Sequence, residues 1–342
     1  MGVNESIRGA TATIPSTSRI VTLVEAVNMA LHNAMEADPN VVVLGEDVGT
    51  NGGVFRATVG LKERFGVKRV MDTPLAECMI GGISVGMATQ GLRPVAEIQF
   101  MGFALSALEH IISHAARIRN RTRGRLSCPL VLRMPFGAGI HAPEHHSESL
   151  EALFAHIPGL RVVVPSSPAR AYGLLLSAIQ DPDPVIFLEP TRIYRLIRQE
   201  VMDDGHGLPL DTCFTLQPGT DVTLVSWGAM VHETLQAAKS LSKLGISAEV
   251  IDVATLAPLD MDTILHSVRK TGRCVIVHEA ARHCGVGAEI AARLAEKGLF
   301  YLKAPIERVT GFDIPVPYSR NEGVYLPSSE DIVQACQRTM EY

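Results

Sequence analysis

Short, continuous apolar runs recur along this chain, separated by longer stretches in which apolar positions return every three or four residues. VVVLG (Val41–Gly45), PVAEIQF, PLVLRM, RVVVP and PVIFLEP are runs of the first kind. Strands buried on both faces read this way, because helices cover both sides of a parallel sheet. Between them, TLVEAVNMALHNAMEADP opens on Thr22 with Glu25 three residues later, a capping box, and ends before Pro39. A helix is also expected over residues 105–119, and another in ARAYGLLLSAIQ. Residues 75–89 carry Gly81, Gly82, Ser84, Gly86 and Ala88, small side chains that let a helix approach another backbone closely.

The rhythm breaks over residues 198–220, a polar stretch with turn formers and no sustained period, read as the domain junction. It resumes with DVTLVSWG, a helix near residues 232–244, ISAEVIDVAT, a helix near 261–269, RCVIVHEA and a helix near 287–297. Strands alternating with helices predict an α/β protein of two doubly wound domains in series. The expected divisions are a tail over residues 1–18, a first domain over 19–200, a linker over 201–220 and a second domain over 221–342.

Composition narrows this picture. The 342 residues are 46% hydrophobic and 20% charged, enough apolar material for two ordinary cores. A net charge of -5, with no long basic run, argues against a nucleic-acid surface. The densest basic stretch, residues 117–125, reads first as a solvated helix end. Six scattered cysteines without a CxxC pair suit free thiols in a reducing compartment. No run is long enough for a membrane span, and the first residues lack both a signal core and the arginines of a transit peptide. A soluble protein of the bacterial cytoplasm is expected, or of the mitochondrial matrix if eukaryotic.

Several short motifs have plainer readings. Gly82-Ile83-Ser84-Val85-Gly86 matches a hydrolase nucleophile elbow but lacks the preceding strand that motif needs. His278-Glu279 and His283 are spaced by five where a helical zinc site needs four. His110 and His114 have the right spacing but no third ligand. Gly285-Val286-Gly287 reads as a helix N-terminus, since Ile290 occupies the last glycine of the dinucleotide fingerprint.

Ligands in open α/β sheets lie at the carboxyl ends of the strands. There the sequence places Glu46 after VVVLG, Glu77 in DTPLAE beside Leu75, Ile80 and Ile83, Gln99 and Phe103 after AEIQF, and His145-His146 after VLRMPFG. A lone Glu77 would read as a helix cap or salt bridge. Grouped with the others at one edge, and set among aliphatic side chains that disfavour its ionised form, it reads as a proton-handling carboxyl group.

These residues also carry a family resemblance. LGEDVGTNGGVFRATVGL, DTPLAE, PVAEIQF, HHSES with HIPGLRVVVPSSP, DPDPVIFLEP, WGAMVHETLQAA and GISAEVIDVATLAPLD resemble the β subunits of thiamine-diphosphate-dependent 2-oxo acid dehydrogenases, from about Ile20 to Tyr342. The resemblance implies a pyrimidine-binding domain followed by a transketolase C-terminal-like domain. It gives Glu77 the hydrogen bond to the cofactor's N1′ nitrogen, Phe103 the stack on its pyrimidine, and Leu75 and Gln99 places near it. His146 would handle the bound intermediate or the lipoyl group, Glu46 an acidic proton path between paired cofactors, and His145 a structural role.

The chain has neither a GDG motif nor the Asn-Asn pair that hold diphosphate and magnesium in thiamine enzymes; Asp204-Gly205-His206-Gly207 is the nearest stretch. The resemblance therefore places magnesium on an α subunit and implies an α₂β₂ heterotetramer serving a dihydrolipoyl acyltransferase core and its lipoyl domain. It also implies a potassium ion near Leu130, Val131, Ala178, Asp181 and Asp183. No group of comparable promise stands out in the second domain, to which β–β contacts and docking of the core are assigned. The resemblance favours pyruvate as the expected substrate, with a branched-chain 2-oxo acid dehydrogenase, an acetoin dehydrogenase or a non-catalytic scaffold subunit as the alternatives.

Overall fold

In the computed structural model, which describes residues 17–342, strand β1 (Thr17–Thr22) leads directly into a helix, Leu23–Ala37. The Thr22 side chain accepts from the Glu25 backbone while the Glu25 carboxylate accepts from Thr22, so the capping box forms. The last two residues of the expected tail thus belong to a strand; the rest of that tail lies outside the described residues.

β2 (Val41–Gly45), β3 (Val70–Asp72), β4 (Arg93–Glu97), β5 (Val131–Phe136), β6 (Arg161–Val163) and β7 (Val185–Pro190) form one parallel sheet, in the order β6-β7-β5-β4-β2-β3. Every residue of β2, β5 and β7 is buried, as their unbroken apolar runs predict. The helices Glu77–Thr89 and Pro168–Gln180 provide crossovers.

The expected junction contains two strands. β8 (Arg198–Asp203) pairs antiparallel with β1, and β9 (Phe214–Gln217) lies at the edge of the second sheet. Val201 is the only buried residue of β8, so the backbone holds the pairing and no side-chain alternation betrays it.

The second sheet runs β14-β13-β10-β11-β9, built from β10 (Val222–Ser226), β11 (Ala248–Asp252), β13 (Cys274–Ala281) and β14 (Glu307–Gly311); all pairings are parallel except β9 with β11. One short strand crosses between the halves: β12 (Thr255–Ala257) joins the first sheet antiparallel to β6. A single apolar cluster includes Ile98 and Phe136 with Val225, Trp227 and Ile276, so the two halves share a core.

The helix expected over 105–119 is not regular. It consists of a 3₁₀ segment (Met101–Ala107), a wide π turn (Glu109–His114), a second 3₁₀ turn (Ala115–Arg117) and a short α-helix (Ile118–Arg121). The small residues opposite are the physical reason it lies so close: a Cβ on Gly81 would meet Ala107 at 3.1 Å, and one on Gly82 would meet His110 at 3.2 Å. Such wide turns are rare and cluster at functional sites. Ser84 lies inside the helix Glu77–Thr89 with its hydroxyl donating to the Ile80 carbonyl, 2.7 Å away, so the elbow motif is an ordinary helical stretch.

Candidate active site

The carboxyl ends of β2, β3, β4 and β5 open on one edge of the first sheet. In register, Gly45 of β2 lies opposite Glu97 of β4, so Glu46 and Gln99 leave neighbouring strands side by side. The loop after β2 is fixed locally. Asp72, at the end of β3, accepts from the Gly49 and Thr50 backbone N–H groups at 2.6 and 3.2 Å and from Lys62 at 2.9 Å. Those bonds outweigh burial and hold the Asp72 carboxyl below its usual range.

Glu77 begins the helix Glu77–Thr89 and is half-buried. Among the described residues its carboxylate accepts no hydrogen bond. Glu46 lies near it: burial, with the Asp47 and Glu77 charges, pushes the Glu46 carboxyl above its usual value. The aliphatic surround expected for Glu77 is only partly present. Ile80 is buried, but Leu75 is 72% and Ile83 40% exposed.

The other half of the site is aromatic. Phe100 stands between Gln99 and the turn bearing Phe103; its ring meets Phe103 edge-on at 5.9 Å and His146 at 4.5 Å. Phe103 also meets His146 edge-on at 5.2 Å and His145 at 5.6 Å. Gly102 makes this packing possible, since a Cβ there would lie 2.3 Å from the His145 carbonyl oxygen. His146 Nδ1 is buried without a partner, as are single oxygens of Glu144 and Glu148. Burial, reinforced by His145, lowers the His146 pKa, so its ring is neutral at neutral pH.

Beneath both halves lies an ion-paired floor. Arg133 of β5 donates twice to Glu189 of β7, at 2.7 Å each, and also to Glu97 of β4; Tyr194 donates to Glu189. Burial opposes the guanidinium charge, but the two carboxylates outweigh it and keep Arg133 protonated.

Thus Glu77 lies close enough for its charge to act on Glu46, Phe103 packs on His146, and Gln99 is half-buried just past the end of β4. Leu75 lies on the open rim. The residues of the expected potassium set gather elsewhere. There the Leu130 carbonyl accepts from Val185 N–H, Asp181 pairs with Arg161 at 3.3 Å, and Asp183 pairs with Arg119 at 2.6 Å. Two cavities, of about 410 and 650 Å³, lie away from Glu77 and His146, one beside Arg119 and Asp183, the other around Arg170 and His232. No cluster of three or more metal-binding side chains is present among the described residues.

Sequence reasoning missed the second domain's reach into the site. Glu279 of β13 accepts from Ser149 at 3.3 Å, Trp227 donates to Glu151 at 3.2 Å, and Glu322 accepts from the backbone of residues 139 and 141. Burial, with Glu151 and Glu322 nearby, pushes the Glu279 carboxyl up to about 7. Separations of 76–183 residues leave no local signal for these contacts.

Comparison with known proteins extends this reading. The family model of the transketolase pyrimidine-binding domain matches residues 20–196, and that of the transketolase C-terminal domain matches residues 212–332. A solved split-gene transketolase, an inactive β₄ tetramer, superposes with a TM-score of 0.75 at 24% identity, over 94% of this chain and 98% of its own; it shares the fold. "Pyruvate dehydrogenase E1 component subunit beta" of Acholeplasma laidlawii is 51% identical over 92% of this chain and 96% of its own length. The proteins of that name from Bacillus subtilis and Staphylococcus epidermidis are 47% and 48% identical over 94% of this chain and 99% of theirs. The chain belongs to the family of thiamine-dependent 2-oxo acid dehydrogenase β subunits typified by these proteins.

Proposed function

We propose that this chain is the β half of a pyruvate dehydrogenase that decarboxylates pyruvate oxidatively and passes the acetyl group to a lipoyl domain. The observation that carries the reading is the meeting, at one open sheet edge, of a Glu46–Glu77 carboxyl pair with a Phe103–His146 aromatic pair. The half-buried Glu77 carboxylate, which accepts no hydrogen bond among the described residues, and the buried, unpartnered His146 Nδ1 fit the pyrimidine end of thiamine diphosphate and its substrate. Nothing in this chain matches the diphosphate end, so magnesium and that end belong to an α subunit in an α₂β₂ assembly.

When bound, thiamine diphosphate would supply the nucleophilic carbon that this chemistry needs. Glu77 would hold the pyrimidine end through its carboxyl group, placed to share a proton with a ring nitrogen there. Phe103 would offer its ring as a stacking surface for the pyrimidine, with Gln99 and Leu75 near it. His146, neutral at working pH, is free to take or give a proton where the acetyl group moves to the lipoyl sulfur. Glu46, whose carboxyl group burial and the neighbouring Asp47 and Glu77 charges push above its usual value, is suited to relay protons between paired sites. Residues 19–200 serve as the pyrimidine domain, 201–220 as the junction and 221–342 as the closing domain, whose surface meets a second β chain and the acyltransferase core.

A potassium ion near Leu130, Val131, Ala178, Asp181 and Asp183 would be structural and would compete with Arg161 and Arg119 for both carboxylates. No described helix is long and apolar enough to cross a membrane; the proposed cytoplasmic setting rests on the kinship with bacterial relatives. The test is to reconstitute the chain with its α subunit and assay pyruvate, branched-chain 2-oxo acids and acetoin. Pyruvate should be turned over fastest; preference for either of the others would reassign the substrate, and activity with none would favour a scaffold subunit.

A further inference from the structure

The loop that carries His145 and His146 spans residues 137–149 and departs from β5 with Gly137 and Gly139 in left-handed conformations. His141 is left-handed as well, with φ of 59°, a conformation that disfavours a non-glycine residue. Such a segment keeps its shape only when its surroundings impose it. Much of the imposing group comes from the far end of the chain. Glu322, on the short helix Ser319–Tyr325, has a side chain only 2% exposed. One of its oxygens accepts from Gly139 N–H at 2.6 Å; the other accepts from His141 N–H at 3.0 Å and lies 2.7 Å from His141 Nδ1. A buried carboxylate filled by backbone donors is a strong, directional tether.

Neighbouring contacts support the same loop. Gly137 lies flush against Glu279, where a Cβ would stand 2.0 Å from the carboxylate, and Ser149 donates to that carboxylate from the loop's other end. Gly139 rests on the Arg192 side chain, which is ion-paired with Glu233 of the second domain at 3.0 Å.

We propose that Glu322 is a positioning residue. Through the backbone of Gly139 and His141, it holds the histidine loop so that His146 stays against Phe100 and Phe103 for acyl transfer. The second domain is thereby part of the active site's framework. This proposal rests on the thiamine-enzyme reading above for its catalytic consequence, though not for the tether itself.

The test uses the assembled α₂β₂ complex with Glu322→Ala and the isosteric Glu322→Gln, which keeps one acceptor oxygen of the two. Amide hydrogen exchange reads the tether directly: Gly139 and His141 should exchange faster in the alanine variant, with the glutamine variant between it and wild type. Acetyl transfer to a free lipoyl domain should fall about a hundredfold in Glu322→Ala, less in Glu322→Gln, because displacement of about 1 Å at a reacting group has that scale of effect. Hydrogen exchange at the thiazolium carbon should keep its wild-type rate, since Glu77 is anchored elsewhere. Unchanged amide exchange would overturn the tether, whatever the reaction. Equal loss of thiazolium exchange and acetyl transfer would overturn the positioning role in favour of general damage. A wild-type complex that shows no thiazolium exchange would instead overturn the functional reading, leaving the amide measurement to decide the tether.

Discussion

The carboxyl half and the histidine half of this site are held in different ways. Glu46 and Glu77 sit on elements within a single stretch of the chain, β2 through the helix Glu77–Thr89, and the loop between them is pinned by Asp72 from the adjacent strand. His146 rides on a loop of unfavourable backbone conformation, secured by Glu322 and Glu279 from the other domain. Local structure therefore builds the first half, whereas the second exists only once both domains have packed. The difference predicts that damage at the domain seam harms acyl transfer before it harms cofactor activation.

Glu77→Gln should have the largest effect. In the assembled complex it should slow exchange of the thiazolium proton by about 10²–10⁴-fold, the usual scale for a lost acid–base group. A rate near wild type would break the comparison at its local half. Arg133→Met tests the floor common to both halves. It strands Glu97 and Glu189 as buried, unpaired carboxylates, and should lower stability by about 3–5 kcal/mol, seen as a reduced denaturation midpoint.

Glu279→Gln sharpens the long-range half. The wild-type carboxyl titrates at about 7 when folded, against 4.5 as a free side chain. The folded state thus holds its proton more tightly. Its stabilising contribution is complete below pH 4.5 and is lost as pH rises through about 7. The glutamine variant should melt above wild type at pH 8, by on the order of 3 kcal/mol in stability, and the gap should close toward pH 4.5. A gap independent of pH would show that Glu279 does not titrate there. Phe103→Leu should have the smallest effect, weakening cofactor binding by about 0.5–1.5 kcal/mol in a calorimetric titration.

The same division governs what could be read before the fold was known. Buried parallel strands announce themselves as unbroken apolar runs, and the Thr22–Glu25 box is a local signal, so the first sheet and its leading helix were legible. Glu46, Gln99, Phe103 and His146 follow such strands, and the rule that parallel sheets present their sites at the carboxyl ends of strands groups them with Glu77. β8 was hidden because backbone pairing with β1 needs no apolar alternation. The wide turn at residues 109–114 was hidden because close packing on Gly81 and Gly82 sets it, not its own periodicity. Glu279 and Glu322 were missed for a related reason: Glu279 lies in a run that reads only as a strand, Glu322 lies beyond the last element the sequence analysis names, and their partners lie 130 or more residues away. The exposure of Leu75 likewise depends on what faces the open edge.

That open edge is the centre of the account, in which this chain supplies one end of a cofactor site and a second chain the other. The direct measurement is calorimetric titration of thiamine diphosphate and magnesium into this chain alone, and then into its mixture with the α subunit. The account predicts no tight binding in the first case and saturable binding, one cofactor per αβ pair, in the second. Tight, magnesium-dependent binding by the isolated chain would contradict it.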